Sequence, residues 1–290
     1  MIETRGLVKR YGSVTALDGV DLAVARGAVY GLVGRNGAGK TTLLGILAGL
    51  RSPTSGSVAI AVARDDVAVL PDTPRFDPWL TGREVVSLAA HLTSGDAARV
   101  EAVIAEAGLA DDLDRAVGGY SRGMLQRLGV ACTVVGSPQV VLLDEPASAL
   151  DPLGRREVLD LIGRLRGSAT VLFSSHILGD VQEVCDTVGI LRSGRLLYQG
   201  AIHDLLTGEA TPTYRVRLRG PGDAVAAALR AEPWVRGVET AGEGELRIAV
   251  DHLEDAEREL AGALARAGAH VISVHPGEAS LEQVFLELTR

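Results

Sequence analysis

The sequence has little cysteine and no long apolar run. Its two cysteines, Cys132 and Cys185, lie far apart in apolar stretches. This number excludes a disulfide framework and a cysteine-rich metal site, and it predicts two buried thiols in a reducing compartment. The longest uncharged stretch, 128–143, is interrupted by Gly136 and Pro138 and is shorter than the roughly 20 apolar residues that span a bilayer. No transmembrane helix is therefore expected.

Positive charge and aromatic side chains are also scarce. The 29 Lys and Arg residues are outnumbered by 37 Asp and Glu, which gives a net charge of −8. Because proteins that bind nucleic acid through phosphate contacts carry a basic surface, we expect no nucleic-acid partner. The N-terminus lacks the pattern of a secretory signal, which predicts a cytoplasmic protein. Aromatic residues make up 3% of the 290 residues. The only lysines are Lys9 and Lys40, so the use of lysine rather than arginine at position 40 needs an explanation.

Up to about residue 206, short apolar runs alternate with helical stretches, the pattern of an α/β fold. The runs 28–33, 140–143 and 169–173 lack a period of two, as parallel strands buried on both faces do. Open α/β sheets bind ligands beyond the carboxyl ends of their strands, so the loops after these three strands are expected to converge on one site.

Between residues 78 and 137 the sequence predicts a helical insertion. Apolar residues recur three and four apart in 84–92, 97–108 and 125–135. Asp96 is a suitable N-cap for the second of these helices.

The last third of the chain predicts a second, smaller domain. A polar segment, 207–212, ends in proline and is interpreted as a linker. Residues 213–290 then follow the order strand, helix, strand, strand, helix, strand of a ferredoxin-like α+β fold. A last helix over 281–288 has a capping-box pattern at Ser280 and Gln283. Without a glycine-rich loop or reactive cluster, this domain is interpreted as structural or regulatory.

Residues 34–41 form the clearest motif. Their sequence, Gly-Arg-Asn-Gly-Ala-Gly-Lys-Thr, fits G-x-x-x-x-G-K-[ST] between a buried strand and an apolar helix. Backbone N–H groups of such a loop bind phosphates, Lys40 reaches the β and γ phosphates as a compact charge, and Thr41 is expected to bind Mg²⁺. The flanking elements disfavour the alternative of a plain glycine-rich turn. The predicted nucleotide-binding residues of this motif are Gly34, Arg35, Asn36, Gly37, Ala38, Gly39, Lys40, Thr41 and Thr42.

Two consecutive carboxylates, Asp144 and Glu145, end the predicted strand 140–143. Uncompensated charge there would be costly, so both need partners. Mg²⁺ held by Asp144 explains the first, and Glu145 is positioned as the general base or water-orienting residue for attack on a γ phosphate. Alone, the pair also fits a helix cap at a strand end; together with the phosphate-binding motif it favours hydrolysis.

With these motifs in this order, residues 2–206 resemble the nucleotide-binding subunit of an ABC transporter. The segment 120–124, Tyr-Ser-Arg-Gly-Met, is similar to the ABC signature, from whose commonest pattern Arg122 and Met124 depart. The resemblance implies that Ser121 and the backbone at Gly123 bind the γ phosphate of ATP held by the opposite protomer.

The resemblance covers four further positions. It implies that residues 148–151 form the D-loop, in which Asp151 binds nucleotide, and that His176, after a core strand, contacts the γ phosphate during catalysis. Tyr11 matches the aromatic residue that stacks on adenine. Asp72 stands where the family commonly has Gln or Glu, and it is assigned to catalysis and to Mg²⁺ with a side chain at least one methylene shorter.

The resemblance therefore implies an ATPase core that uses ATP and Mg²⁺ and works as two copies with ATP between them. The tail 281–289 is similar to that of subunits in the ABC-2 type export group. We expect an exporter subunit that is peripheral on the inner face of the cell membrane through a separate permease. The permease contact is expected between Thr73 and Thr81, where Phe76 and Trp79 supply aromatic anchors, with packing of the helical insertion as the alternative.

Two other function classes fit parts of the sequence. A soluble ABC-type ATPase of translation or DNA maintenance usually carries two cassettes or a long coiled coil, whereas this chain has one phosphate-binding motif and no sustained heptads. A P-loop kinase or GTPase would leave Glu145 and the loop at Ser121 unexplained.

Overall fold

The structure is a computed structural model that describes residues 1–93, 95–148, 150–208, 212–242, 244–277, 281 and 285. The chain divides into two compact units, of which the first ends at Ile202 and the second begins at His203. This division falls four residues before the boundary at 206 that the sequence suggested. The unit boundary lies inside a helix that runs to Gly208, two residues into the predicted linker.

The first unit contains the three buried strands that the sequence predicts, together with further strands and helices. Its strands are β1 (Ile2–Tyr11), β2 (Val14–Val24), β3 (Val29–Val33), β4 (Ser55–Ile60), β5 (Val67–Leu70), β6 (Val140–Leu143), β7 (Thr170–Ser175), β8 (Thr187–Arg192) and β9 (Arg195–Ala201). Its helices are α1 (Lys40–Leu47), α2 (Gly82–Leu92), α3 (Arg99–Glu106), α4 (Arg122–Val134), α5 (Pro152–Arg164) and α6 (Leu178–Val184), and α7 (Ile202–Gly208) crosses the boundary.

The central sheet has the strand order β5-β6-β7-β3-β8-β9 and is parallel except for β9. Every residue of β3, β6 and β7 is buried, which is why these strands show no apolar alternation in the sequence. Because neighbouring strands are parallel, the carboxyl ends of β5, β6, β7 and β3 lie at one edge of the sheet. The predicted α/β fold is confirmed.

A second sheet, of order β2-β1-β4, is antiparallel. Leu7 and Leu22 from this sheet, Leu43 and Leu47 from α1, and Leu172 from the central sheet belong to one buried cluster. The helix that follows the phosphate-binding motif is therefore anchored by its apolar side chains to the core of the unit.

The helical insertion is formed by α2, α3 and α4. A capping box starts α2: the Thr81 hydroxyl accepts from Glu84 N, and the Glu84 carboxylate accepts from Thr81 N at 2.8 Å. The prediction of Asp96 as the N-cap of α3 is wrong, because Ala98 precedes the first helical residue. Asp96 instead accepts a hydrogen bond from Ala98 N within the preceding turn.

The second unit has strands β10 (Thr213–Leu218), β11 (Val235–Gly242), β12 (Glu245–Val250) and β13 (Val271–Gly277), with helices α8 (Asp223–Leu229) and α9 (Leu253–Arg266). The sheet is antiparallel in the order β11-β12-β10-β13, as a ferredoxin-like fold requires. Of the predicted helix 281–288, only Leu281 and Phe285 lie within the described residues; both are helical and buried.

Two expectations from composition can be compared with the structure. Cys132 and Cys185 are unpaired, and they are half-buried residues rather than fully buried ones. Burial nevertheless raises the pKa of the Cys132 thiol to about 12. Across the part of the chain that the structure describes, no helix is long and apolar enough to cross a membrane.

Candidate nucleotide-binding site

An open cavity of about 530 Å³ lies at the edge of the central sheet where the strands end. The phosphate-binding motif follows β3, Asp72 follows β5, Glu145 follows β6 and His176 follows β7. All of these line the cavity, the motif through every residue from Arg35 to Thr42. The sheet thus brings together four sequence-distant predictions, as the strand-end rule requires.

Two glycines of the motif, Gly34 and Gly39, have no room for a side chain. A Cβ at Gly34 would lie 2.5 Å from the Leu191 carbonyl oxygen, and one at Gly39 would lie 2.5 Å from the Ala16 carbonyl oxygen. Gly39 also has a φ of 110° and precedes α1 without a side-chain cap. The first N–H groups of this helix therefore have no capping side chain and can bind an anion.

Lys40, Glu145 and His176 form a short chain of polar contacts along the cavity. Lys40 Nζ donates to the Gly34 carbonyl at 2.6 Å and lies 3.0 Å from Glu145 Oε1. Glu145 Oε2 lies 2.7 Å from His176 Nδ1, so Nδ1 carries the proton when the carboxylate is ionised. The Lys40 and Glu145 side chains are 6% and 14% exposed, so each buried charge is compensated by the other.

The backbone places Glu145 in an uncommon conformation. Its φ is 49°, in the left-handed region that non-glycine residues seldom adopt. Strain of this kind persists where surrounding contacts impose it. Here the Ser174 hydroxyl accepts from Glu145 N at 2.9 Å and donates to Asp144 Oδ1 at 2.6 Å. Ser174 therefore fixes both carboxylate residues from the neighbouring strand.

Asp144 and Asp72 occupy different environments. Asp144 is buried behind the cavity rather than among its lining residues, and its carboxylate accepts from Ser174. Asp72 lines the cavity, and its Oδ1 accepts from the Ser148 hydroxyl at 3.2 Å. The shorter Asp72 side chain thus contacts the first residue of the predicted D-loop.

Three predicted residues stand at helix starts or beside them, outside the lining of this cavity. Ser121 caps α4 by accepting from Met124 N at 3.2 Å, and Gly123 lies in its first turn. Asp151 caps α5 by accepting from Gly154 N at 3.3 Å. A role for Ser121 and Gly123 in binding nucleotide held by another protomer is compatible with this position.

Tyr11 is 45% exposed and borders the cavity only indirectly. It pairs with Val14, a lining residue, across the turn between β1 and β2. Arg51 donates to the Tyr11 hydroxyl at 3.1 Å, and Lys9 Nζ lies 4.8 Å from the ring centre.

The sequence analysis missed several lining residues. Arg122, noted above only as a departure from the signature pattern, lines the same cavity, as do Ser148 and residues 14–16. No local pattern marks residues 14–16, because only the pairing of β1 with β2 places them there. Ser148 was noted only as the first residue of the predicted D-loop, 148–151, and that position was the available signal for it.

The described residues fit a phosphate ligand with a bound metal ion. Glycine-cradled N–H groups, a buried lysine and the exposed Arg35 supply positive charge around the cavity. Within the described ranges, no three His, Cys, Asp or Glu side chains form a metal site by themselves. A Mg²⁺ ion would therefore need phosphate oxygens beside Thr41 and carboxylate ligands. These features define a nucleotide-binding P-loop protein.

Comparison with known proteins narrows this class to one family. An ABC transporter profile matches residues 17–148, and a profile for the C-terminal domain of DrrA1-3-like ATP-binding proteins matches 200–289. The uncharacterized ABC transporter ATP-binding protein YxlF of Bacillus subtilis is 34% identical over 99% of both chains. The daunorubicin/doxorubicin resistance ATP-binding protein DrrA of Streptomyces peucetius is 35% identical over 99% of this chain and 92% of that protein.

Comparison with solved structures points to the same family. An ATP-binding subunit of an ABC transporter superposes with a TM-score of 0.65 at 30% identity, over 71% of this chain and 91% of that one. The chain belongs to the family of ABC transporter ATP-binding proteins. It is an ATP-binding and ATP-hydrolysing subunit of an ABC-type exporter, as predicted, and subunits of this kind work with a membrane permease. These relatives disfavour the soluble, non-transport alternative.

Proposed function

We propose that the cavity binds ATP with Mg²⁺ and that Glu145 and His176 act in hydrolysis of the γ phosphate. The observation that carries this proposal is the contact chain from Lys40 through Glu145 to His176 beside the phosphate-binding loop. Lys40 binds the β and γ phosphates. When its ammonium leaves Glu145 to contact the phosphates, the Glu145 carboxylate is free to accept a proton from water. His176 holds the carboxylate in place through Nδ1 and contacts the γ phosphate during catalysis.

Mg²⁺ neutralises charge on the phosphate oxygens when it is bound. We assign its protein contacts to Thr41 and Asp144, with Asp72 as a further ligand or water-orienting residue. The support for Asp144 is its buried carboxylate at the end of β6, already oriented by Ser174. The support for Asp72 is its place in the cavity lining.

ATP hydrolysis is proposed to require two copies of the chain. Ser121 and the backbone at Gly123 bind the γ phosphate held by the partner, and Asp151 contributes from the start of α5. Their positions at helix starts outside the chain's own cavity support this arrangement. Tyr11 completes the site by stacking on adenine next to Val14.

The permease is proposed to dock on the surface between Thr73 and Thr81 and to hold the protein at the inner face of the membrane. Trp79 is 72% exposed and Phe76 is half-buried, which favours a contact surface over internal packing for Trp79. We expect Trp79→Ser to reduce co-purification of the permease with the tagged protein without lowering the thermal midpoint. Leu50→Ser, at a residue 73% exposed, is the matched control.

Glu145→Gln tests the catalytic assignment. The amide keeps the shape of the side chain but cannot accept the proton of the attacking water, so phosphate release is expected to fall by roughly 10²-fold or more. Binding of ATP is expected to persist because the phosphate-binding loop is intact. Glu106→Gln, at an exposed position on α3, is the control. Unchanged phosphate release by Glu145→Gln would refute the assigned role.

A further inference from the structure

A buried carboxylate that the proposed chemistry does not use follows His176 by four residues in the chain. Asp180, on α6, is 2% exposed. The Nε and Nη2 atoms of Arg155, in the first turn of α5, both contact its Oδ1. Burial raises the pKa of Asp180, opposed by the hydrogen bond from Arg155. A charge retained in such a place needs a reason beyond packing.

The Asp180 side of the ion pair leads to the turn that carries His176. The Ser175 hydroxyl accepts from Ile177 N at 2.9 Å and lies 3.5 Å from Asp180 Oδ2. Ser175 is itself the last residue of β7 and pairs with Val33, immediately before the phosphate-binding motif. The buried Ser175 side chain, directly before His176, thus contacts both Ile177, directly after it, and Asp180.

The Arg155 side of the pair leads to the D-loop. Arg155 N donates to the Asp151 carbonyl at 2.9 Å, in the turn that the Asp151 side chain caps. Arg155 therefore contacts Asp151 through its backbone and Asp180 through its guanidinium. The ion pair joins the start of α5 to the start of α6.

We propose that Asp180 and Arg155 are positioning residues for the ATPase reaction: their ion pair holds the His176 turn and the start of α5 as one unit. The inference rests on the proposed function of His176 and Asp151. Neither Asp180 nor Arg155 is among the residues that line the cavity, so their effect is assigned to the turns that they contact. Small displacements of catalytic groups lower turnover strongly, whereas phosphate binding by the loop after β3 is unaffected.

Asp180→Asn and Arg155→Met test this inference through steady-state ATP hydrolysis. Asp180→Asn keeps the size of the side chain and removes its charge, and we expect kcat to fall roughly 10-fold. The KM for ATP is expected to change less than about 2-fold, because binding is separate from positioning. Arg155→Met is expected to have a similar effect, and the double variant is expected to be no worse than either single one. Arg155→Lys, which keeps one charge at a side chain 32% exposed, is expected to recover part of kcat.

Asp114→Asn is the matched control, since Asp114 pairs with Arg83 at 2.8 Å on the helical insertion. Unchanged kcat for Asp180→Asn, or additive losses in the double variant, would overturn the inference. A loss of kcat that only follows the loss of folded protein, measured by circular dichroism, would also overturn it. If Asp180→Asn folds poorly, Arg155→Lys supplies the comparison. If His176→Ala leaves kcat unchanged, the proposed function itself fails; if His176→Ala lowers kcat and Asp180→Asn does not, only this inference fails.

Discussion

At the scale of single residues, Lys40 decides the charge balance of the cavity. It is one of two lysines in a chain that otherwise uses arginine, and its ammonium lies between the Gly34 carbonyl and Glu145. An ammonium is compact and can move between a carboxylate and a phosphate on its flexible stem. A planar guanidinium needs more space and a bidentate partner.

We predict that Lys40→Ala lowers ATP hydrolysis by at least about 10²-fold, because one preorganised donor to the phosphates is lost. Lys40→Arg is expected to fail as well, since the side chain is only 6% exposed and the larger head group does not fit. Arg5→Ala, at an exposed ion pair on β1, is the control. Phosphate release is the measurement, with circular dichroism to verify folding. Turnover retained by folded Lys40→Ala would contradict the assignment of the loop.

At the scale of elements, the strand ends and helix starts carry the site. The buried strands and the loop at 34–41 follow from local sequence, because burial on both faces and a glycine-rich turn each leave a clear pattern. The start of α3 does not follow, because Asp96 satisfies a turn as readily as a helix. The ion pair between Arg155 and Asp180 could not be predicted from the sequence either, because it depends on how α5 and α6 pack after their strands.

The capping box of α2 gives a stability prediction. Thr81→Ala removes the hydroxyl that accepts from Glu84 N, so we expect the free energy of unfolding to fall by about 1 kcal/mol, within the range known for N-caps. Urea denaturation at neutral pH measures it. Thr81→Ser, which keeps the hydroxyl, is expected to retain most of the stability; a Ser variant as weak as Ala would show that the cap is unimportant.

The same capping box has a predictable pH dependence. Hydrogen bonds from the Thr81 backbone and then its side chain lower the pKa of Glu84. The stabilisation from the charged carboxylate is therefore complete above the pKa of the unfolded chain, about 4.3, and is lost as pH falls through the lower folded-state pKa. We expect Glu84→Gln to lower the thermal midpoint at pH 7 and to approach the wild type as the pH falls below 4. A difference that stays constant with pH would rule this out.

At the scale of the whole molecule, the position of Ser121 supports the proposed action on a second copy's nucleotide. Ser121 starts α4 and lies outside the lining of its own chain's cavity, while the neighbouring Arg122 is part of that lining. Ser121 can therefore bind nucleotide held by the partner, while Arg122 borders the nucleotide cavity of its own chain. Sequence patterns identified the signature motif. Only the packing of α4 within the fold shows that Arg122 lines the chain's own cavity and that Ser121 does not.

The final prediction concerns the ATP-dependent dimer. Glu145→Gln keeps ATP intact, and ATP bridging two protomers should then trap a dimer in ATP and Mg²⁺ but leave monomers in ADP. Ser121→Arg blocks the partner's γ phosphate and also removes the cap of α4. Ser121→Asp is the sharper variant, because Asp caps helices well yet repels the phosphate. In the Glu145→Gln background, both changes are expected to abolish the dimer in sedimentation, with Ser121→Asp keeping the thermal midpoint. Association that ignores the nucleotide, or a dimer that tolerates Ser121→Asp, would refute the two-copy mechanism even in a protein that still binds ATP.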